Sequence, residues 1–485
     1  MKAIQAAVTA AAALALFAAP ALANGSLEDR VARVEQQLSA QSAPSTREIQ
    51  SAVDAYLASG TADASLVGGP GQAGYDGGFW IRGGTFLLKI NLTLQARYEY
   101  FDWDDKDVEP SPGGDLSGFS LPRATLKFSG DATCDVHYYA ELEFGHEGNW
   151  FLPRFEEEPN PQDPIPGGAF PGGPEELSLF GQEDDVLREA WIEYEAAPAA
   201  SFRMGLIRTA TTRQLMTAPE LQQFADISLA SAVIGASMPG WESRNYDYGF
   251  MVHGVLGCDG EFSYMLTVTN GDGLGHRNVV DGWTSDNLAY SARVNWDFMG
   301  HMGYEEGALR QTECGWVGAV GAWAHYYSDA LIHNPFEKFA DKLTWGVDAA
   351  IGWGGLSFTG AYSMSTWDDV LGSGDDLETT TWLAQIGYLF PGSAWEIAAR
   401  YSAYQTEAGD GDFGASEIAG AVTYYIDGHA DKVTLDVAWI ASEDDGNILI
   451  YDLLDDLVLY SDYPAYWSTG DSDGLLVRLQ WQLAL

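Results

Sequence analysis

The chain contains few cysteines, few basic residues and only one long apolar run, and each shortage excludes a class of protein. Cys134, Cys258 and Cys314 are odd in number and form no C-x-x-C pair, which excludes a disulfide framework and a paired-cysteine zinc or redox site. The 24 Lys and Arg residues against 70 Asp and Glu residues give a formal charge of -46, which excludes a nucleic-acid-binding surface.

The one long apolar run lies at the N-terminus and has the pattern of a secretory signal peptide, residues 1–23. Lys2 supplies the positive start, "IQAAVTAAAALALFAAP" supplies the apolar part, and "ALA" supplies the small residues of a cleavage site. An uncleaved membrane anchor is the less favoured alternative. Since no later stretch of about 20 residues is apolar, we expect an exported protein that enters any membrane through strands.

Residues 24–57 have helical periodicity and predict a short coiled-coil oligomerisation segment. The apolar heptad positions are Leu27, Val31, Val34 and Leu38. A coiled coil of two heptads is only marginally stable alone. It would therefore contribute most if other contacts already bring copies of the chain together. An amphipathic helix packed on its own domain is the alternative. Residues 58–84, rich in Gly, Ala and Ser over much of their length, are predicted to link this segment to a domain spanning residues 85–485.

From residue 85 onward, apolar and polar residues alternate with the period of two that is typical of strands, as in "KINLTLQARYEY" and "AYSARVNWDF". Most of these segments are near, or slightly beyond, the roughly 9–11 residues of a tilted membrane strand, and an even number of them suits a bacterial barrel. The sixteen predicted strands lie near residues 87–101, 118–130, 134–146, 186–196, 201–209, 246–257, 261–270, 288–298, 314–327, 343–353, 356–367, 380–390, 394–405, 416–426, 432–442 and 475–485.

The connections alternate between short turns, such as "APAA" and "FPGS", and long polar loops. The predicted long loops are residues 102–117, 147–185, 210–245, 271–287, 328–342, 368–379, 406–415 and 443–474. One segment, "MGHMGYEEGALRQTE", is long where a short turn is expected. Long loops at one end and short turns at the other are typical of outer-membrane barrels, with both chain ends on the periplasmic side.

A soluble β-sandwich also alternates, but it turns its apolar face inward. Sixteen long strands close readily into one barrel, and closure removes the unpaired edges that lipid cannot satisfy. Aromatic residues at strand ends, including Trp296, Tyr327, Trp367 and Tyr388, favour the membrane-interface girdles of a barrel. We therefore predict an all-β fold, a 16-stranded antiparallel transmembrane β-barrel with an N-terminal periplasmic α-helical coiled-coil segment.

In such a barrel the polar faces line the lumen with charges of both signs. The candidate basic lining residues are Lys89, Arg97, Arg123, Lys127, Arg208, Arg293, Arg400 and Arg478. The candidate acidic ones are Glu99, Glu141, Glu143, Glu189, Glu193, Asp297, Asp348, Glu396, Glu417 and Asp436. Facing arrays of opposite sign favour passage of small polar solutes. For any single residue, a structural ion pair is an equally good interpretation.

Several segments resemble the phosphate-selective porin O/P family: "SGFSLPRATLKFSG", "LREAWIEYEAAPAASFRMGLIRTATTRQLMTAPE", "SRNYDYGFMVHGVLG" and "MLTVTNGDG". The resemblance extends loosely over residues 85–485 and more closely over 117–275. It implies a trimeric sixteen-stranded channel in which a loop folds into the barrel. Carried over, residues 210–243 form the constriction with Arg208 and Arg213 near its mouth, and Arg123 matches the arginine of the second strand.

The sequence departs from the family at positions that bear on ion selectivity. Thr125 stands where the family has a second basic residue, and no lysine-rich array is present. Acidic mouths enrich cations and slow anions, so we expect a weak cation preference.

No catalytic motif or cofactor fingerprint is present, so we expect no enzymatic activity and no cofactor. Calcium bound by acidic loops is an alternative, since the "DWDDKD" loop and three other loops offer carboxylate ligands without the spacing of an EF-hand. The three cysteines all open a strand at the periplasmic end. A disulfide to another subunit or partner and free thiols both remain open.

The sequence thus predicts an outer-membrane porin of a Gram-negative-type bacterium, passing small hydrophilic solutes or ions by passive diffusion. The expected partners are two further copies in a homotrimer, outer-membrane lipid, and a periplasmic or cell-wall contact through the coiled coil. The alternative is a structural surface protein with a non-conducting barrel, serving tethering or adhesion.

Overall fold

A computed structural model describes most of the predicted barrel domain. The described residues are 72–105, 116–145, 187–236, 245–257, 260–271, 288–309, 315–332, 338–368, 376–408, 411–444 and 472–485. The predicted signal peptide (1–23) and coiled coil (24–57) lie outside these residues, as do Cys258 and Cys314. Cys134 lies in the short turn after the second barrel strand, exposed and without a disulfide bond.

The described chain is almost entirely β-structure, with two short helices. The strands are β1 (Gln72–Tyr75), β2 (Phe79–Gly83), β3 (Phe86–Asp105), β4 (Leu116–Asp131), β5 (Val136–Glu143), β6 (Leu187–Ala197), β7 (Ala200–Arg208), β8 (Tyr246–Leu256), β9 (Phe262–Thr269), β10 (Ala289–Met299), β11 (Val317–Ile332), β12 (Lys338–Trp353), β13 (Leu356–Trp367), β14 (Leu377–Leu389), β15 (Trp395–Ala408), β16 (Gly411–Asp427), β17 (Asp431–Asp444) and β18 (Ser472–Ala484). The helices are α1 (Arg213–Met216) and α2 (Leu229–Ala236), with a 3₁₀ turn at Pro219–Leu221 between them.

Strands β3 to β18 form one closed antiparallel barrel. Each strand pairs with the next along the chain, and β18 pairs with β3 from Thr93 opposite Ala484 to Asp105 opposite Ser472. The backbone of Leu485 continues this seam, because its N–H donates to the carbonyl of Leu92 at 2.8 Å. The predicted sixteen-stranded barrel is therefore confirmed, and closure leaves no open edge within it.

Two features of the strands differ from the sequence-based prediction. β11 and β12 continue into residues 328–342, and β15 and β16 continue into residues 406–415; the prediction had assigned both stretches to loops. The predicted linker also contains the β1–β2 hairpin, and β2 pairs with the first residues of β3, beyond the point where β18 ends. This edge of β3 would otherwise be unpaired. The Asn91 amide ties the hairpin turn to the chain end, donating to the carbonyls of Gly77 at 2.8 Å and Leu485 at 3.0 Å.

The apolar face of each alternating strand points outward and the polar face points inward. On β18, Leu479 and Trp481 are 47% and 61% exposed. Gln480 between them and Arg478 before Leu479 are buried. A sandwich would show the reverse, so the membrane-barrel prediction holds. Two aromatic residues predicted for the membrane interface, Tyr327 and Trp367, are instead buried.

Short turns lie at one end of the barrel and long connections at the other, as predicted, except that the long connection between β10 and β11 lies at the short-turn end. The start of β3 and the end of β18 lie at the short-turn end. Outward-facing aromatic side chains cluster near these turns, where Trp316 and Trp353 stack with ring centroids 4.9 Å apart. Among the described residues, no helix is long and apolar enough to cross a membrane.

Candidate solute passage

The inward segment, residues 209–236, lies inside the barrel between β7 and the chain leading to β8. Its apolar side chains explain why it packs against the wall rather than extending into solvent. Leu229 and Ile234 of α2 belong to one buried cluster with Trp323 and Tyr404 of the inner wall. Phe224 belongs to a second such cluster. Each fully buried side chain of this size contributes roughly 1.5–3 kcal/mol.

The wall holds the backbone of the inward segment through arginine–carboxylate pairs, the first of which joins β10 to β12. Arg293 forms a bidentate pair with Asp348, with both N–O distances 2.7 Å. Arg293 also donates to the carbonyl of Thr211 at 2.7 Å, and Asp348 accepts the backbone N–H of Arg213 at 3.1 Å. One ion pair thus satisfies both a carbonyl and an N–H of the same turn of chain.

A second pair joins β15 to β16 and repeats this arrangement. Arg400 pairs with Glu417, and both side chains are fully buried. Arg400 donates to the carbonyl of Asp226 at 2.9 Å, while Glu417 accepts the backbone N–H of Leu229 at 3.0 Å. A buried carboxylate is stabilised by such a charge-assisted hydrogen bond in addition to its cation.

A third pair joins β17 to β18. Arg478 donates to Asp436 at 2.8 and 3.1 Å, and Asp436 accepts the backbone N–H of Ala225 at 3.0 Å. Arg97 on the adjacent strand donates to the carbonyl of the same residue, Ala225, at 2.8 Å. The three arginine–carboxylate pairs therefore fix the inward segment along most of its length.

Further wall cations contact acidic residues of the inward segment. Asp226 accepts from Arg97 at 3.2 Å and from Arg123 at 3.5 Å. Lys127 on β4 pairs with Glu220 in the 3₁₀ turn. Burial alone would raise the pKa of Glu220, but the ammonium of Lys127 outweighs it and the pKa is lowered. Glu220 is therefore held as the anion.

Arg208 and Arg213, predicted to lie near the mouth of the constriction, both hold backbone rather than stand free. Arg208 donates to the carbonyl of Met216 at 3.1 Å and lies over the Tyr246 ring, 4.9 Å from its centroid. Arg213 donates to the carbonyl of Gly303 and lies 5.2 Å from the centroid of the Tyr304 ring.

The second body inside the lumen is the brace, residues 300–309, which forms part of the unexpectedly long connection between β10 and β11. It turns into the barrel from the periplasmic end. Met302 packs in a buried cluster with Val317, Ala319 and Ala350 of the wall. Ala308 packs in another buried cluster, so the brace is anchored at both ends.

Together these two segments make the inner wall unequal around its circumference. On the covered wall, the inner faces of β12 to β18, the polar residues are buried down to the periplasmic end. Examples on this wall are Gln385, Glu396, Lys432 and Gln482. On the open wall, the inner faces of β5 to β9 toward the periplasmic end, side chains remain partly exposed. The half-exposed residues of the open wall include His137, Tyr139, Trp191, Arg203, His253 and Ser263.

The open wall carries its own small charge network. Glu193 accepts from Arg203 and from His253, both at 2.8 Å. The outer parts of β5 and β6 add Glu143, which pairs with Arg188 at 3.0 Å. These groups are more exposed than those of the covered wall.

The predicted lining residues fall into three groups. Those that hold or face the inward segment are Arg97, Arg123, Lys127, Arg208, Arg293, Asp348, Glu396, Arg400, Glu417, Asp436 and Arg478, with Arg213 in the segment itself. Those on β5 and β6 are Glu141, Glu143, Glu189 and Glu193. Lys89 lies exposed at the periplasmic start of β3, Glu99 pairs with Arg97 at 3.0 Å, and Asp297 contacts His301 at 2.6 Å.

Several residues of this network were missed from the sequence because they lie in irregular chain without a period. The missed residues of this kind are Gln214, Glu220, Gln223, Asp226 and Glu306. Lys432, at the start of β17, was also missed, although alternation puts it on the same face of the strand as Asp436. Of the carboxylates suggested for calcium, Asp107, Asp375, Asp410 and Asp445 lie outside the described residues. Within the described chain, no group of three or more His, Cys, Asp or Glu side chains is placed to hold a metal ion.

A closed antiparallel barrel of sixteen strands, apolar outside and polar inside with a segment folded into its lumen, defines the class of outer-membrane channels. The sequence profile described as "Phosphate-selective porin O and P" matches residues 89–449, and the chain belongs to this family. The protein is thus a channel for passive diffusion of solutes in the outer membrane of a Gram-negative bacterium.

The chain is similar to several solved outer-membrane proteins. The chain is 11% identical to an anion-selective porin from Comamonas acidovorans, with a TM-score of 0.51, covering 82% of this chain and 99% of that one. It is 12% identical to OmpF of Salmonella typhi in complex with daunomycin, with a TM-score of 0.48, covering 85% and 100%. OmpT of Vibrio cholerae is 9% identical, with a TM-score of 0.48, covering 83% and 98%. A search of curated proteins found no match.

Proposed function

We propose that small hydrophilic solutes and ions pass along the open wall, beside the inward segment, with a weak preference for cations. In this proposal the protein is a channel rather than an enzyme. The observation that carries the proposal is that charged side chains are buried and bound on the covered wall but more exposed on the open wall. The arginines of the covered wall are bound by carboxylates and by backbone carbonyls, so they offer little free positive charge to an anion.

The open wall supplies the cation preference. Among the described residues, β5 to β9 carry six carboxylates against three arginines: Glu141, Glu143, Glu189, Glu193, Glu195 and Asp247 against Arg188, Arg203 and Arg208. The formal charge of the whole chain, -46, acts in the same direction. Fields of this sign raise the local concentration of cations in a confined, low-dielectric passage.

We further propose that the channel is a homotrimer surrounded by outer-membrane lipid. The family resemblance supports the trimer, and the heptad pattern of residues 24–57 would add a periplasmic contact between copies or with another cell-envelope component. The pore-lining roles of the candidate residues belong to the same proposal.

Conductance of purified protein in planar bilayers tests this function. The proposal expects stable ion-permeable steps and, in a salt gradient, a reversal potential of cation-selective sign. A clear anion preference that saturates with phosphate would overturn the predicted selectivity. The second candidate, a non-conducting structural barrel, is favoured by the extent to which the inward segment and the brace cover one side of the lumen. Absence of conductance from correctly folded barrels would support it.

A further inference from the structure

The brace and the inward segment enter the lumen from opposite ends and meet inside it. The N–H of Glu306 donates to the carbonyl of Leu221 at 3.0 Å, and Arg213 donates to the carbonyl of Gly303. Tyr304 accepts from the wall residue Arg293 at 2.9 Å. The periplasmic connection is therefore part of the interior structure that bounds the passage.

Glu306 is the side chain at the centre of this meeting point, and it is almost fully buried. One carboxylate oxygen accepts from the Gln214 side chain at 2.8 Å. The other accepts from the backbone N–H of Gln223 and from the Gln385 side chain, both at 3.0 Å. Glu306 thus joins two points of the inward segment to β14 of the wall.

The residues on either side of Glu306 in the brace also lie close to other parts of the barrel. Gly307 has a φ of +81°, and a Cβ there would lie 3.1 Å from a carboxylate oxygen of Glu396. Glu305 approaches His429, in the turn between β16 and β17, at 3.5 Å. Burial of a carboxylate in such a site requires that its oxygens be hydrogen-bonded.

We propose that Glu306 is a positioning residue for the constriction: delivered from the periplasmic end, it holds the inward segment against the covered wall and so sets the width of the passage. This inference rests on the proposed passage along the open wall. Glu306 does not contact the solute in this account. It acts through Gln214 and Gln223, and its role depends on the arrangement of donors and acceptors rather than on side-chain size.

The variant E306Q tests this dependence, because it keeps the size and removes one acceptor. The new amide must turn its NH₂ group toward Gln214 or toward Gln223 and Gln385, all of which donate in the native structure. The conformation in which the inward segment is held against the covered wall should become less populated by about tenfold or more. This is the effect of losing a buried charge-assisted hydrogen bond. E305Q, on the same segment but directed at His429, is the matched control.

The double variant E306Q/Q214E supplies a rescue that a merely structural account does not expect. Gln214 already accepts from the N–H and hydroxyl of Ser228 at 2.8 and 2.7 Å. A carboxylate at 214 keeps that acceptor and turns its second oxygen toward the amide introduced at 306. The other oxygen at 306 still accepts from Gln223 and Gln385, so the full hydrogen-bond pattern is restored with donor and acceptor exchanged.

Two measurements are made on wild type, E306Q, E305Q and the double variant in lipid. Hydrogen exchange at residues 213–229, including the N–H of Gln223, should accelerate in E306Q and return to the wild-type rate in the double variant. Uptake of a large relative to a small sugar into liposomes should rise in E306Q and return likewise. Wild-type behaviour of folded E306Q, or no recovery in the double variant, would overturn the proposal.

The outcomes separate this proposal from the proposed function. If the wild-type barrel does not conduct, the passage is wrong, while the exchange rates still decide whether Glu306 holds the inward segment. If E306Q does not fold, the double variant decides alone: folding with wild-type exchange supports the role of Glu306, and failure to fold overturns it.

Discussion

The covered wall and the open wall are built from the same alternating strands, yet they use their charges differently. On the covered wall, Arg400 and Glu417 are fully buried and bind the backbone of the inward segment. On the open wall, Arg203 and Glu193 form a pair of similar geometry that remains partly exposed. The covered wall therefore serves structure, and the open wall is the side to which we assign the proposed passage.

The difference follows from what packs against each wall rather than from the strands themselves. The inward segment brings backbone N–H and carbonyl groups that need partners, and the paired arginines and carboxylates supply both kinds. Where no segment packs, the same residue types keep contact with water, and in the proposed passage they would act on passing ions.

The largest effect is expected from breaking a pair of the covered wall. R400M leaves Glu417 buried without its cation and removes the bond to the carbonyl of Asp226, and this should cost about 3–5 kcal/mol of the free energy of unfolding. R203M on the open wall should cost less, about 1–3 kcal/mol, because that pair keeps more contact with water and His253 still contacts Glu193. Denaturant unfolding in lipid measures both, and equal losses would contradict the distinction between the walls.

A smaller effect is expected from crowding the brace. G307A and G392A both place a side chain at positive φ, +81° and +70°. Each should add a backbone strain of about 1–2 kcal/mol. Only at Gly307 would the new Cβ meet near neighbours, whereas nothing lies within 4 Å of it at Gly392. G307A should therefore lose about 1–3 kcal/mol more than G392A in the same unfolding assay. Equal losses would show that the brace can move aside.

Charge on the open wall should change ion preference rather than stability. Glu195 is 43% exposed and lies 3.5 Å from His137. E195K should shift the reversal potential in the anion-selective direction. The cation-to-anion permeability ratio derived from it should change by less than about tenfold, because exposed charges in water interact by only about 1 kcal/mol at 4 Å. The shift should shrink from 0.1 M to about 1 M salt as screening increases. An unchanged potential at low salt would place the ion path elsewhere.

The smallest effect concerns His429, in the periplasmic turn beside the brace. Burial lowers its pKa, and the charge of Lys432 lowers it further, against the opposing effect of Glu305. The neutral ring is therefore favoured on folding, and its contribution is complete above the unfolded pKa of about 6.5 and lost as the pH falls through the lower folded pKa. Wild type should lose more stability than H429Q between about pH 7 and pH 5. Parallel losses in urea unfolding would contradict this.

Much of the barrel was predictable because strands in lipid must alternate and close. Alternation located the sixteen strands and put Arg293, Asp348, Arg400 and Arg478 on the inner face. It could not show that these residues bind backbone, because their partners come from irregular chain. Asp226 and Glu306 lie in such chain and were missed. The signal available for Glu306 was the unexpected length of "MGHMGYEEGALRQTE".

Passage of solute along the open wall can be tested by covalent block of the channel. Ser263 and Ser357 are each the second residue of a strand after a periplasmic turn, but Ser263 is half-exposed, whereas Ser357 is buried and accepts a bond from Gln223 at 3.1 Å. S263C and S357C are made with the three native cysteines replaced by serine, and a charged methanethiosulfonate reagent is added from the periplasmic side. We predict that conductance falls in S263C and is unchanged in S357C. Block in S357C with none in S263C would contradict the account.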